Sequence, residues 1–384
     1  MSVQTQINYT TKKVFWTIAI FYMLMAFEFF YMASPFAIYF YSAYGPGLNF
    51  INNSPTLAWL SSLFLPHIVV ETSSALLNLH NILGAMLACI GFLAFCIGAG
   101  QVYYHKLTRK GAVTGGIYNF IRHPQYLALT LCSFGLLLLW PRYIVLLSFI
   151  MMLFIYYLLT RAEETECEKK FGEAYVEYKN KTGMFLPFHT PFMEKLPGLP
   201  KSGVKRCLAI VILYVAVSLI AIGLANGLKS WSLNSLYALY SRDAVYISVT
   251  KIEKSILEQM VKFTLTNPDV QRRLTSSRTG ENTKFINYIL PIDLYVSEIP
   301  MNPVEGIEGH HFIPSDFHKD FYKIIFTRAE GANNHRSEGK DILLNTSRRV
   351  PIVEVWVDLS QKRVIDIRNP PATTKYGNIP MPIY

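Results

Sequence analysis

The stretch Cys207–Gly227 runs for 21 residues without a charged side chain, and it restricts the fold more than any other feature of this chain. In hydrocarbon every backbone N–H and C=O must be paired within the segment, so an apolar run of this length reads as a membrane-spanning helix. Residues 79–104 read as another span. Lys12 and Lys13 precede a longer run, Val14–Tyr44, which well exceeds the roughly 7–15 residues of a signal-peptide core. It reads as an uncleaved first span with a kink at Ser34-Pro35. Residues 126–139 and 143–159 are shorter, about 21 to 26 Å at 1.5 Å per residue. Trp140-Pro141-Arg142 joins them, so they read as a helical hairpin that leaves and returns on one face. Residues 57–71 contain Pro66 and are expected to form a re-entrant or interfacial helix. The reading is about five spans plus that helix. Gly84, Gly91 and Gly98 recur every seven residues, with Ala88 four after Gly84, and predict a close helix–helix seam.

Charge divides the chain. Residues 1–227 hold no Asp, nine Glu and sixteen Lys or Arg, while residues 228–384 hold the other seventeen acidic residues. A membrane domain over 1–227 and a soluble domain over 228–384 follow. In such a chain the net charge of +10 reads as positive-inside loops and headgroup contacts, with membrane lipids as partners. No basic, aromatic-interleaved stripe points to nucleic acid. The basic loops Lys106–Arg122, Lys169–Lys181 and Lys201–Arg206 share one side, which the positive-inside rule makes cytoplasmic; the last span then places the soluble domain outside the cytoplasm. All five cysteines lie before residue 228, none in CxxC spacing, so the soluble domain needs no disulfide. Its alternating runs, clearest in Val350–Asn369, predict an α+β domain with an antiparallel sheet. The sequence indicates no protein partner for it.

Four features meet at one end of the hairpin. They are Lys110–Tyr118 (KGAVTGGIY), Arg122–Tyr126 (RHPQY), Arg161–Glu164 (RAEE) and Phe171–Phe188 (FGEAYVEYKNKTGMFLPF). Each alone is ordinary: arginines anchor headgroups, Pro124 suits a helix start, and Glu–Lys pairs decorate helices. Their convergence is not. The order Gly116, Tyr118, Arg122, His123, Pro124, Tyr126, an apolar hairpin, Glu163, Glu164, Phe171, Gly172, Tyr175 and Tyr178 resembles the isoprenylcysteine carboxyl methyltransferase family and its phospholipid methyltransferase relatives. The resemblance covers about residues 80–190, with the core motifs in 105–190.

That resemblance implies an integral-membrane enzyme using S-adenosylmethionine, with a lipid or isoprenylcysteine-type carboxylate as lipophilic acceptor. Carried over by motif position, cofactor contacts fall on Ala112, Val113, Tyr118, His123, Pro124, Gln125, Tyr126 and Glu164, and catalytic roles on Arg161 and Glu163. The chemistry suits these residue types. Methyl transfer needs positioning and charge management in a dry site, and it requires no metal. A carboxylate suits an ammonium or ribose hydroxyls, tyrosine faces suit a sulfonium, and an arginine suits an anionic acceptor. In the family the arginine ahead of the glutamate pair stands further upstream, where this chain has Leu159 and Thr160. Two other readings are a sterol-reductase-like enzyme using NADPH and a non-enzymatic anchor for an extracytoplasmic binding domain. Glu28, His67 and Glu71 are ionisable groups in apolar surroundings. His310, His311, Asp316, His318 and Asp320 form a polar loop whose spacing fits no metal template.

Overall fold

The computed structural model describes residues 16, 20, 23, 38–54, 56–108, 113–187, 203–303, 311–312, 318, 320–331 and 336–371. In chain order the longer helices are α1 (Ile38–Asn53), α2 (His80–Leu107), α3 (Pro124–Leu139), α4 (Tyr143–Phe171), α5 (Glu173–Lys181), α6 (Gly203–Asn234), α7 (Lys254–Leu265) and α8 (Pro268–Ser276). The chain divides into two compact units. One comprises residues 1–43, 82–140 and 145–219, the other residues 44–81, 141–144 and 220–384.

Among the described residues three helical stretches are long and apolar enough to cross a membrane: Ala75–Val102, Tyr143–Phe171 and Gly203–Asn234. That is fewer than the five spans expected. Most of the Val14–Tyr44 run, including Ser34-Pro35 and Glu28, lies outside the described residues. Helix α3 has only 16 residues, about 24 Å, short of a ~30 Å hydrocarbon core. The predicted glycine seam is present between α2 and α3. A Cβ on Gly84 would fall 2.9 Å from the Gly135 carbonyl oxygen, and one on Gly91 would meet the backbone of Ala128 and Cys132. The two backbones touch because Gly84, Gly91 and Gly135 carry no side chain there.

Helix α4 does not stop where its apolar run ends. It continues through Arg161–Glu164 to Phe171, so the glutamate pair sits on the same rigid rod as the span. Gly172 ends it with a φ of +59°, a conformation that costs glycine no Cβ clash, and α5 starts at once. Helix α3 begins with Pro124 in its first turn, where the missing N–H has no helical partner to lose and φ is already helical.

The second unit is built on a six-stranded sheet. Its strands are β1 (Ala238–Tyr240), β2 (Ala244–Ser248), β3 (Phe285–Pro291), β6 (Phe321–Glu330), β7 (Arg348–Asp358) and β8 (Arg363–Arg368), side by side in that order. A two-stranded ribbon, β4 (Tyr295–Val296) with β5 (His311–Phe312), stands apart. The expected antiparallel sheet is in fact mixed. The β2–β3 pair is parallel, because α7 and α8 lie between them in sequence and carry the chain back to the starting edge, as any parallel pair requires. The other pairs in the sheet are antiparallel, including the β7–β8 hairpin read from the sequence.

Both faces of the sheet are covered, which explains why all seven residues of β3 are buried. Tyr246, Ile289, Ile324, Phe326 and Val355 pack with Leu257, Met260 and Val270 of α7 and α8. On the opposite face Val245, Ile247, Ile286, Tyr288 and Ile325 pack with Ile68 and Val69. Residues 57–71 are therefore not a re-entrant or interfacial helix. They contain one 3₁₀ turn, Ala58–Ser61, and then an irregular strap of bends. The amides of Val70 and Glu71 donate to the Val249 carbonyl at 3.0 and 3.1 Å. Pro66 disfavours a helix here, and burying Ile68 and Val69 against the sheet stabilises the strap by about 1.5–3 kcal/mol each. His67 Nε2 stands 3.8 Å from Glu298 Oε1, and Glu71 accepts from the Lys251 amide at 2.7 Å, so both belong to this packing. The same strap holds the turn between α3 and α4: Arg142 donates to the Ser61 carbonyl at 2.8 Å, and the Phe64 amide to that of Pro141 at 2.9 Å.

Candidate active site

The hairpin geometry brings RHPQY and RAEE together as expected. Helix α3 runs out from Pro124 and α4 runs back past its starting level, so Arg122 and His123 stand beside Glu163 and Glu164. Arg122 Nε donates to Glu164 Oε1 at 2.8 Å. The same guanidinium donates to the carbonyls of Lys179, at 2.6 Å, and of Thr182. Lys179 Nζ lies 3.0 Å from Glu164 Oε2 and 2.7 Å from Glu168 Oε1. Glu164 is 1% exposed, and a charge so deeply buried persists only with partners of this kind.

The segment after α5 closes the cluster. Ile121 and Gly183 form a parallel β-bridge, with the amides of Arg122 and His123 donating to the carbonyls of Gly183 and Met184 at 2.9 and 3.2 Å. The Tyr178 hydroxyl donates to the Tyr118 carbonyl at 2.7 Å. The Tyr-x-x-Tyr part of the motif thus ties α5 back to the glycine-rich loop.

Glu163 is arranged differently. Its Oε1 accepts from the Tyr126 hydroxyl at 2.6 Å, yet the side chain is 50% exposed. His123 stands between the two carboxylates, 3.6 Å from Glu163 and 3.5 Å from Glu164. These separations are too long for good hydrogen bonds, so the attraction is coulombic. Burial pulls the His123 pKa down, but the two carboxylates outweigh it and leave the pKa raised. Lys179 is likewise pulled down by burial and raised more strongly by Glu168 and Glu164. His123 rests against Tyr126 and Phe185 with ring centroids 6.0 and 6.2 Å away. Arg161 sits at the rim, half exposed and 3.9 Å from Glu164 Oε2.

A cleft of about 470 Å³ lies between the C-terminal part of α2 and the glycine-rich loop, lined by Ile97, Gly100, Gln101, Tyr104, His105, Val113, Gly115 and Gly116. Its size falls within the roughly 300–1,000 Å³ of small-molecule sites. Val113 lines it, as the motif implied; Ala112 lies outside the described residues. Gln125 is at the α2–α3 contact, where its Cγ would meet a Cβ on Gly98 at 3.2 Å. Sequence reasoning missed Lys179, whose only signal was its place directly after Tyr178, and Gln101, a polar residue four before His105 at the end of an apolar run. His105 reads from sequence as an interfacial histidine; the structure puts it in the cleft wall. Of the polar loop near residue 310, His310 and Asp316 lie outside the described residues, and His318 Nδ1 is 3.0 Å from Asp293 Oδ2.

Comparison with known proteins bears on this unit alone. Residues 79–174 match the phospholipid methyltransferase family. The protein-S-isoprenylcysteine O-methyltransferase of Saccharomyces cerevisiae is 32% identical over 139 residues, which cover 34% of this chain and 58% of that protein. The chain therefore aligns with little more than half of that relative. No solved structure matches it. The match contains the RHPQY, RAEE and Phe171-Gly172 motifs and the hairpin that joins them, so the likeness of residues 79–174 to the phospholipid methyltransferase family rests on the same residues that form the cluster.

Proposed function

We propose that the membrane unit transfers a methyl group from S-adenosylmethionine to a lipophilic acceptor, a lipid or an isoprenylcysteine-type carboxylate. The observation that carries this reading is the meeting of Arg122 and His123 with Glu163 and Glu164 within the family-matched segment, beside a cleft bounded by the glycine-rich loop. Bound S-adenosylmethionine supplies an electrophilic methyl carbon on a sulfonium. The cleft suits such a group: it is large enough, and two buried polar atoms in its wall, Gln101 Oε1 and His105 Nδ1, lack a hydrogen-bond partner.

The chain's own residues would then divide the work. Arg122, Glu164 and Lys179 form a closed charge frame that fixes the spacing of α3, α4 and α5. Glu164 is occupied by that frame, so the role implied for it as a cofactor ligand passes to Glu163, which is half exposed and held in orientation by the Tyr126 hydroxyl. Arg161, half exposed at the rim, suits an anionic group on the acceptor. Tyr118, His123, Pro124 and Tyr126 form the wall that keeps water from the reacting atoms. The motif side would face the cytoplasm, and the soluble domain from about residue 228 would lie on the other side.

Calorimetry of S-adenosylmethionine on the detergent-purified protein tests the reading. Saturable binding, weakened at least tenfold by Glu163→Ala, is expected. A folded protein that binds neither S-adenosylmethionine nor S-adenosylhomocysteine refutes it.

A further inference from the structure

Helix α6 carries no charged side chain between Arg206 and Lys229. The helix rises about 35 Å between them at 1.5 Å per residue, slightly more than the ~30 Å hydrocarbon core of a bilayer. With Arg206 at one surface, Lys229 therefore reaches the phosphate level of the other. Only 6% of the apolar stretch of α6 is buried, so acyl chains can lie directly against it.

Lys229 is partly exposed and Asn226 exposed, so both are reachable from the surface. Lys229 does not simply extend into solvent. It folds over the Tyr143 ring, with Nζ 5.6 Å from the centroid, within the reach of a cation–π contact. The same Nζ is 3.5 Å from Ser62 Oγ. The Tyr143 hydroxyl donates to Asn226 Oδ1 at 2.6 Å. Asn226 stands three residues before Lys229 on α6, so the two side chains are neighbours on the helix surface. Tyr143 thus places both of them: its ring holds the ammonium, and its hydroxyl occupies the amide oxygen and leaves Nδ2 as a donor. Tyr143 is itself fixed. It is 3% exposed, its amide donates to the Ser62 carbonyl at 3.2 Å, and the rings of Trp59 and Phe64 meet it edge-on, each 5.6 Å away.

Charge here has one sign. Residues 44–70, 141–144 and 220–242 contain no Asp or Glu, and Lys229 makes no ion pair among the described residues. Arg142, fully buried, donates to the Ser61 carbonyl at 2.8 Å and adds a second positive charge beside Ser62. The Ser62 hydroxyl already donates to the Trp59 carbonyl at 2.8 Å and brings no negative charge. A cation drawn out of bulk water calls for a counter-charge. A group that satisfies both the ammonium and the Asn226 amide carries several acceptor oxygens and is anionic. Trp59 and Trp231 are 44% and 40% exposed, and such tryptophans settle among lipid headgroups, where the abundant anion is phosphate.

We propose that Lys229 and Asn226, organised by Tyr143, bind the phosphate of an anionic phospholipid whose acyl chains run along α6. Lys229, Asn226 and Ser62 lie outside the segment matched to the methyltransferase family. The site is independent of the methyl-transfer reading, since none of its residues belongs to the motif cluster.

Native mass spectrometry of the full-length protein in detergent tests this, with dioleoylphosphatidylglycerol and dioleoylphosphatidylcholine titrated separately. The first phosphatidylglycerol is expected to bind about tenfold more tightly than the first phosphatidylcholine, whose choline the two cations repel. Lys229→Met should abolish that preference and Lys229→Arg should retain it. Tyr143→Phe keeps the ring and loses the hydroxyl that orients Asn226, so phosphatidylglycerol affinity should fall about threefold. Asn226→Leu, at an exposed position, should do the same and gives a second reading if Lys229→Met does not fold. Melting curves in lipid-free detergent show which variants are folded. Wild-type phosphatidylglycerol affinity in folded Lys229→Met or in Asn226→Leu overturns the proposal, and so does a wild type that binds both lipids alike. Displacement of the lipid by equimolar glycerol 3-phosphate would reveal a site for free phosphate esters and overturn its assignment to a lipid.

Discussion

Replacing Arg122 with alanine tests the charge frame most directly. Its Nε–Glu164 contact is 2.8 Å, with 7% of the arginine side chain and 1% of the glutamate exposed. Its guanidinium also serves the Lys179 and Thr182 carbonyls. Arg122→Ala strips the buried carboxylate of its least exposed cation and leaves two carbonyls bare. Removing one partner of a buried ion pair costs about 3–5 kcal/mol. Lys179 remains near Glu164, so we expect a loss at the lower end, about 3 kcal/mol. Lys179 itself is 27% exposed, water screens it, and Lys179→Ala should cost no more than about 1 kcal/mol. Unfolding in mixed SDS micelles, followed by tryptophan fluorescence, measures both. The double variant Arg122→Ala/Glu164→Ala should recover about 2 kcal/mol relative to the sum of the singles, because it removes the stranded charge along with its partner. Equal losses for Arg122→Ala and Lys179→Ala, or strict additivity in the double variant, would refute the view that Arg122 and Glu164 form the closed centre of this site.

Other expectations follow from the same structure. The His123 pKa is raised above 6.5 in the folded state, so its stabilising contribution is complete below that value and disappears as pH rises through the folded pKa. The stability gap between wild type and His123→Gln should shrink across that window, and a gap that widens with pH would contradict the assignment. In the soluble domain Lys323 is fully buried with no hydrogen bond at its Nζ, and burial lowers its pKa from 10.5 to about 8. Holding a charge there costs folding free energy at neutral pH, so Lys323→Met should stabilise by up to roughly 3 kcal/mol at pH 7. The gain should fade as pH rises from about 8 to 10.5, as denaturant titrations at several pH values will show. Gly135→Leu should break the α2–α3 seam, since its Cβ alone would meet the Ala88 amide and the Gly84 carbonyl. We expect at least 2–3 kcal/mol and loss of ligand binding; a variant with wild-type melting behaviour would exclude close backbone packing there.

The architecture was legible wherever the signal is local. The apolar runs gave α2, α4 and α6, the heptad glycines gave the seam, and alternation over Val350–Asn369 gave the β7–β8 hairpin. The site was legible because two short motifs flank a helical hairpin, and a chain that leaves and returns on one face brings Arg122 back to the neighbourhood of Glu164. Non-local packing was not legible. Residues 57–71 have the composition of a membrane-surface helix, and only the presence of a sheet face for Ile68 and Val69 to cover makes them a strap. The parallel β2–β3 pair depends on where two helices return the chain, which no strand pattern encodes.

Residue type, spacing and length by themselves determined the long apolar helices of this chain, the division of charge along it, and the family its core segment resembles, since each is a property of residues near one another in sequence. The tertiary structure decided which of two adjacent glutamates is buried and which stays half exposed. Glu163 and Glu164 are indistinguishable as neighbours in a motif, yet a 100° step around α4 turns one toward Arg122 and Lys179 and leaves the other half in solvent. It also decided that Gln101 and His105 face a cleft. The turn of a helix sets the direction of a side chain, and the groups it then meets belong to the loop that folds back after the helix ends.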